Sequence, residues 1–135
     1  MNLIFVIALS VAFVAVATPL DLNEDIIKLI KQHDEFCTKE NHLSDKEIAK
    51  LKVKDFSSPS DNLKCFINCT LEKIGALKNG VIQEDHVLHV FGPLIGEETI
   101  RKIISKCGHL KGKSDCDTAF KLHECLEKLK HDASI

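Results

Sequence analysis

The sequence predicts an all-α fold of six helical segments cross-linked by disulfides. Three observations lead there. Apolar residues recur every three to four positions, the helical period, instead of alternating as in a strand. Capping and stop residues bracket six such stretches. Six cysteines, an even number, follow an apolar leader, and paired cysteines in a secreted chain read as a disulfide framework.

The leader is MNLIFVIALSVAFVAVA, residues 1–17, without a charged side chain. It ends on Ala15-Val16-Ala17, a small-x-small cleavage pattern, and Thr18-Pro19 follows. The predicted organisation is therefore a signal peptide over 1–17 and a helical domain over 18–135, secreted to the extracellular space. The run is shorter than the roughly 20 apolar residues that span a bilayer. No second long apolar run follows, so stable membrane insertion is not expected. The 18 basic and 20 acidic side chains are interspersed along the rest of the chain. Without a basic block, nucleic acid is not an expected partner.

The first helix is predicted from about Asp21 to Lys39, with Leu22, Ile26, Leu29, Ile30, His33 and Cys37 along one side. The second follows Ser44. Glu47 stands three residues later, so hydroxyl and carboxylate each satisfy a free backbone amide in a capping box. It ends near Lys54, before the turn Ser57-Ser58-Pro59-Ser60. The third begins at Ser60 or Asp61 and ends near Leu77, with Asn79-Gly80 as its stop. A short fourth spans Gln83 to Phe91 and is closed by Gly92-Pro93. The fifth starts after Gly96, with Glu97 and Glu98 at the positive end of the helix dipole. It runs to Cys107, where Gly108 terminates it. The sixth is capped by Ser114 and continues to about Lys130.

The stretch CFINCT, Cys65 to Thr70, places two thiols one helical turn apart. They suit a metal pincer, a redox pair or two staples. No second compact pincer exists and the C-x-x-C redox spacing is absent, so neither a metal site nor a cofactor is expected. Cys65 and Cys69 share a helix with Cβ atoms about 6 Å apart, beyond the roughly 3.5–4.5 Å of a disulfide. Cys116 and Cys125 share another, separated by a rise of about 13.5 Å. Excluding both pairs leaves about ten of the fifteen connectivities. On the third helix Leu63, Ile67, Thr70, Leu71 and Ile74 form one stripe, and Cys65 and Cys69 point to nearly the opposite side. That stripe serves equally to fill a core or to line a cavity.

The cysteine spacing Cys37-x27-Cys65-x3-Cys69-x37-Cys107-x8-Cys116-x8-Cys125 closely resembles that of the insect odorant-binding proteins. The resemblance covers the whole chain after the leader. It implies a compact bundle of six helices around an apolar ligand cavity, with interlocked bridges Cys37–Cys69, Cys65–Cys116 and Cys107–Cys125. It also implies a secreted carrier that binds odorants, pheromones or similar small hydrophobic semiochemicals reversibly and moves them through aqueous fluid. An olfactory receptor is the implied further partner, and the expected state is a monomer or weak homodimer. The same fold in a salivary, venom or seminal binding protein is the nearest alternative. A membrane-active helical protein of the saposin kind is the more distant one, and the C-x-x-C near the start of saposins is missing.

The expected ligand-binding residues are Ile67, Leu71 and Ile74 on the third helix, Val87, Leu88 and Phe91 on the fourth, Ile103 and Ile104 on the fifth, and Phe120 on the sixth. The same periodicity serves plain core. With no Trp and no Tyr, such a pocket is aliphatic and Phe-lined. Only ten residues follow Cys125, which leaves little tail to enter it. Among the histidines, His86 and His89 lie off the Val87/Phe91 face, and His123 is the candidate for burial. Asn68-Cys69-Thr70 matches a glycosylation sequon, expected to be unused because its middle residue is a disulfide cysteine within a helix. No catalytic residues are assigned, because the serines cluster at turns and caps, where hydroxyls serve backbone amides.

Overall fold

The computed structural model describes residues 24–132, so the leader over 1–17 lies outside the described residues. The chain divides into two compact units, Met1–Gln32 and His33–Ile135. The described residues of the first, 24–32, are helical. The second begins with α1 (residues 33–40) and continues through α2 (Asp45–Lys52) and α3 (Asp61–Lys73). Two short strands follow, β1 (Leu77–Lys78) and β2 (Val81–Ile82), and then α4 (Glu84–Ile95), α5 (Glu97–Cys107) and α6 (Asp115–His131).

The helices start where the hydroxyl residues lie. Ser44 caps α2: its hydroxyl accepts the Glu47 N–H at 3.2 Å, and the Ser44 N–H donates to the Glu47 carboxylate at 2.9 Å. That carboxylate also accepts the hydroxyl of Ser60, which in turn caps α3 by accepting the Leu63 N–H at 3.1 Å. With the Ser60 bond as the largest cause, the Glu47 carboxyl is held below the usual carboxylate range. Ser114 caps α6 through the Asp117 N–H at 3.1 Å.

Two predicted boundaries are corrected. The third helix stops at Lys73, not near Leu77. Ile74 caps it and Gly75 takes φ +78°, a left-handed turn suited to glycine. Leu77 and Lys78 then pair antiparallel with Ile82 and Val81. Asn79 (φ 51°) and Gly80 (φ 76°) are both left-handed, which makes Asn79-Gly80 a two-residue hairpin turn and not a helix stop. The fourth helix passes through Gly92-Pro93 to Ile95, beyond the predicted end at Phe91. Pro93 lacks an N–H only in the last turn, where one missing bond is tolerated, and Gly96 at φ 92° makes the actual stop.

The disulfides are Cys37–Cys69, Cys65–Cys116 and Cys107–Cys125, the pairing that the resemblance implies. The first and second interlock along the chain, as do the second and third. The core collects Leu63, Phe66 and Ile67 from α3, Leu77 from β1, and Ala119, Phe120 and Leu122 from α6. Leu63 is only 1% exposed. α3 packs along α6, and the Lys64 ammonium fastens the pair with a 3.1 Å bond to Asp117. α4 packs on α5 and α5 on α6, whereas neither α4 nor α5 packs along α3.

Candidate functional site

α3 is engaged on two sides. Cys65 and Cys69 tie one side to α6 and to α1. The stripe on the other side is buried at Leu63 and Ile67 and opens toward its C-terminal end, where Leu71 and Ile74 are half-buried. Of the nine expected lining residues, Ile67 and Phe120 belong to the buried core, and Leu71 and Ile103 pack against it. The remaining five, Ile74, Val87, Leu88, Phe91 and Ile104, are half-buried and stand outside that cluster. They lie on the end of α3 and on α4 and α5.

α4 and α5 meet at Gly96 and are joined by an ion pair of 3.6 Å between Glu84 and Arg101. The last residue of α5, Cys107, is bonded to Cys125 of α6 with a Cα–Cα distance of 5.8 Å. At the start of α4, His86 Nε2 donates to the Ile74 carbonyl at 3.1 Å. Its ring sits so close to Gly75 that any Cβ there would collide with it. His86 is exposed, as its position off the apolar face predicts, yet it links α4 to the end of α3. His89 is exposed.

His123 is half-buried. Its ring stands edge-on to Phe56 at 4.9 Å, and Phe56 in turn meets Phe120 at 6.5 Å. Burial pushes its pKa below the usual histidine value, with the Glu127 carboxylate opposing the shift. Phe56 was not visible as a core residue in the sequence, because a lone aromatic in the loop between two helices shows no periodicity. Its nearest signal is the apolar side chain within Asp55-Phe56-Ser57.

A concavity of about 530 Å3 opens on the disulfide side of α3, lined by none of the nine expected residues. Phe36, Asn68, Glu72 and Lys73 line it together with Cys65, Cys69 and Cys116. The Lys73 ammonium lies 4.4 Å from the Phe36 ring centroid, and Asn68 Nδ2 donates to Glu72 at 3.0 Å, so much of its polar lining is satisfied internally. Asn68 Oδ1 is buried without a hydrogen-bond partner among the described residues. In this respect the sequon asparagine sits beside a bonded cysteine, as anticipated. Among the described residues no three metal-ligating side chains converge, and no helix is long and apolar enough to cross a membrane.

The model of the PBP/GOBP family matches residues 20–129. General odorant-binding protein 56a of Drosophila melanogaster is 48% identical over 132 residues, covering 96% of this chain and 95% of that protein. Odorant-binding protein 10 of Aedes aegypti is 30% identical over 111 residues, 79% of each chain. Among solved structures, the fatty acid binding protein OBP56a from the oral disk of the blowfly Phormia regina superposes with a TM-score of 0.70 at 42% identity, covering 81% of this chain and 95% of that one.

Proposed function

The chain belongs to the PBP/GOBP family, and on that premise we propose that it carries unbranched aliphatic ligands, long-chain fatty acids foremost, between the end of α3 and the α4–α5 pair. That it is a carrier of small hydrophobic ligands follows from the family and its relatives. The observation that supports the location is the group of half-buried apolar side chains, Ile74 at the end of α3 and Val87, Leu88, Phe91 and Ile104 on α4 and α5, a pair that packs on itself but not along α3. Half-buried side chains of this size leave apolar surface for a ligand to cover. Ile67, Leu71, Ile103 and Phe120 complete the proposed wall from the core side.

The ligand class follows from two supports. The blowfly relative is named as a fatty acid binding protein. This chain has no Trp or Tyr, so its lining is Leu, Ile, Val and Phe, which suits a methylene chain better than a polar ring. Each Å2 of apolar surface removed from water contributes roughly 25 cal/mol. A chain of a dozen carbons therefore reaches micromolar affinity, about −8 kcal/mol, without a strong polar anchor. The leader over 1–17 supports delivery of the carrier to extracellular fluid, where ligands of low solubility need one. Capture and release are non-covalent, without turnover.

The test is displacement of a fluorescent apolar probe from the purified mature chain by fatty acids, alkanols and esters of graded length. Fatty acids of twelve or more carbons are expected to displace it at micromolar concentration. Failure of any probe to bind across the pH range overturns the carrier reading. Displacement by short esters but not by fatty acids overturns the ligand class.

A further inference from the structure

We propose that the concavity on the disulfide side of α3 is a second binding site, separate from the apolar wall, and that it takes small organic ammonium ions, protonated amines with an aryl or alkyl body. The cysteines place its carboxylates. Glu40 stands three residues after Cys37 and Glu72 three residues after Cys69, so each acid lies on the same side of its helix as the bonded cysteine. The Cys37–Cys69 bridge, with a Cα–Cα distance of 5.7 Å, brings those two sides together, and both acids line the hollow of about 530 Å3. Cys65 and Cys116 line it as well, so a second bridge fixes α3 to α6 at the same place. The walls are thus held covalently before any ligand arrives, and such preorganisation lowers the cost of binding.

The chemistry of the lining selects a cation. Among the described residues neither Glu40 nor Glu72 pairs with a basic side chain. Lys73, the basic residue of the lining, turns instead to the Phe36 ring, with its ammonium 4.4 Å from the centroid. That contact is the chain's own stand-in for a ligand, an ammonium on the aromatic face of this hollow. Phe36 is 47% exposed, which leaves ring surface for the body of the amine to cover. An aromatic face beside carboxylates suits an organic ammonium, whereas a hard metal ion gains nothing from the ring. A further acceptor, Asn68 Oδ1, is buried without a partner among the described residues, while Asn68 Nδ2 donates to Glu72. An ammonium that takes Glu72 releases the amide to turn, and its oxygen then meets a ligand N–H, which removes a buried unpaired acceptor. Lys73 is exposed at the end of α3 and moves into water as the ligand replaces it on Phe36.

The experiment is an NMR titration of the isotope-labelled mature chain with phenethylammonium at low salt, with phenethyl alcohol as the uncharged control. Amide shifts confined to residues 36–41, 68–73 and 116 are expected to saturate with a dissociation constant of about 1 mM, and the alcohol is expected to leave those residues unshifted. Glu40→Gln and Glu72→Gln each weaken binding by up to about fivefold, the worth of an exposed ion pair. Lys73→Met acts in the opposite direction and tightens it, because it takes the competing ammonium off the Phe36 ring. All three side chains are exposed, so the variants keep the wild-type melting midpoint. A merely structural role would not give Glu72 and its neighbour Lys73 effects of opposite sign. The fluorescent apolar probe stays bound throughout, which separates this site from the carrier reading. Shifts that do not saturate, equal binding of the alcohol, displacement of the apolar probe by the amine, or weaker binding in Lys73→Met overturns the proposal.

Discussion

The α3–α6 pair and the α4–α5 pair are both amphipathic helices of similar length, yet they are secured in opposite ways. α3 and α6 each begin with a serine hydroxyl on a backbone N–H, share the Cys65–Cys116 bridge and the Lys64–Asp117 ion pair, and bury Leu63, Phe66, Ala119 and Leu122 between them. α4 and α5 have no side-chain cap at Gln83 or Gly96, bury few side chains, and leave Val87, Leu88, Phe91 and Ile104 half-exposed. The difference shows where this domain keeps its stability while other apolar side chains stay half-exposed. Covalent and capped contacts concentrate in one half, and the other half keeps apolar side chains that the protein's own core does not use.

The comparison predicts a graded series of effects. Removing the Cys65–Cys116 bridge with a double Ser substitution is expected to cost the most. It frees a loop of 51 residues, and the chain-entropy relation puts the loss at about 4 kcal/mol. Removing Cys107–Cys125, which closes 18 residues, costs about 3 kcal/mol by the same relation. Chemical denaturation of the two variants checks the order, and a larger loss from Cys107–Cys125 would break the assignment of stability to the α3–α6 half.

Next comes a pair of core substitutions. Leu63→Ala empties a fully buried site and is expected to cost about 3 kcal/mol of stability. Phe91→Ala removes a half-buried ring, so it costs far less in melting. It weakens probe binding by about tenfold, the worth of losing roughly 50 Å2 of apolar contact. Equal stability losses, or an unchanged probe affinity in Phe91→Ala, would erase the distinction between filled and reserved surface.

A smaller effect belongs to the caps. Ser60→Ala removes the acceptor for the Leu63 N–H and a partner of Glu47, with an expected loss of about 1 kcal/mol in denaturation midpoint analysis. The smallest effect is on pH dependence. His123 has a folded pKa depressed by burial, against Phe56 of the loop between α2 and α3, with Lys130 on its own helix and Lys54 adding to the shift and Glu127 opposing it. As pH falls through about 6.5, the unfolded chain takes up a proton that the folded side chain refuses, so stability declines, and the decline is complete below the folded pKa. Denaturation of wild type and His123→Phe at pH 7 and pH 5 checks this. The variant is expected to lose less on acidification, and identical pH profiles would remove His123 as the cause.

The local chemistry of the chain determined most of the helices, because each of their signals acts within a few residues. Ser44 with Glu47, Ser60 and Ser114 mark starts that the structure uses, and the 3.6-residue period marks the faces. The six-cysteine spacing went further and implied the pairing that the structure shows, although helix geometry by itself left ten connectivities open. Asn79-Gly80 reads in sequence as a helix stop, but a hairpin turn needs the same left-handed residues, and the pairing of Leu77 with Ile82 makes it one. Gly92-Pro93 reads as a terminator, yet the helix continues because one absent hydrogen bond in the last turn is a small loss once α4 packs on α5. The tertiary arrangement also decided which apolar residues the core consumes. Ile67 and Phe91 carry the same signal in sequence, because periodicity reports that a side chain avoids water and says nothing of whether a neighbouring helix arrives to cover it.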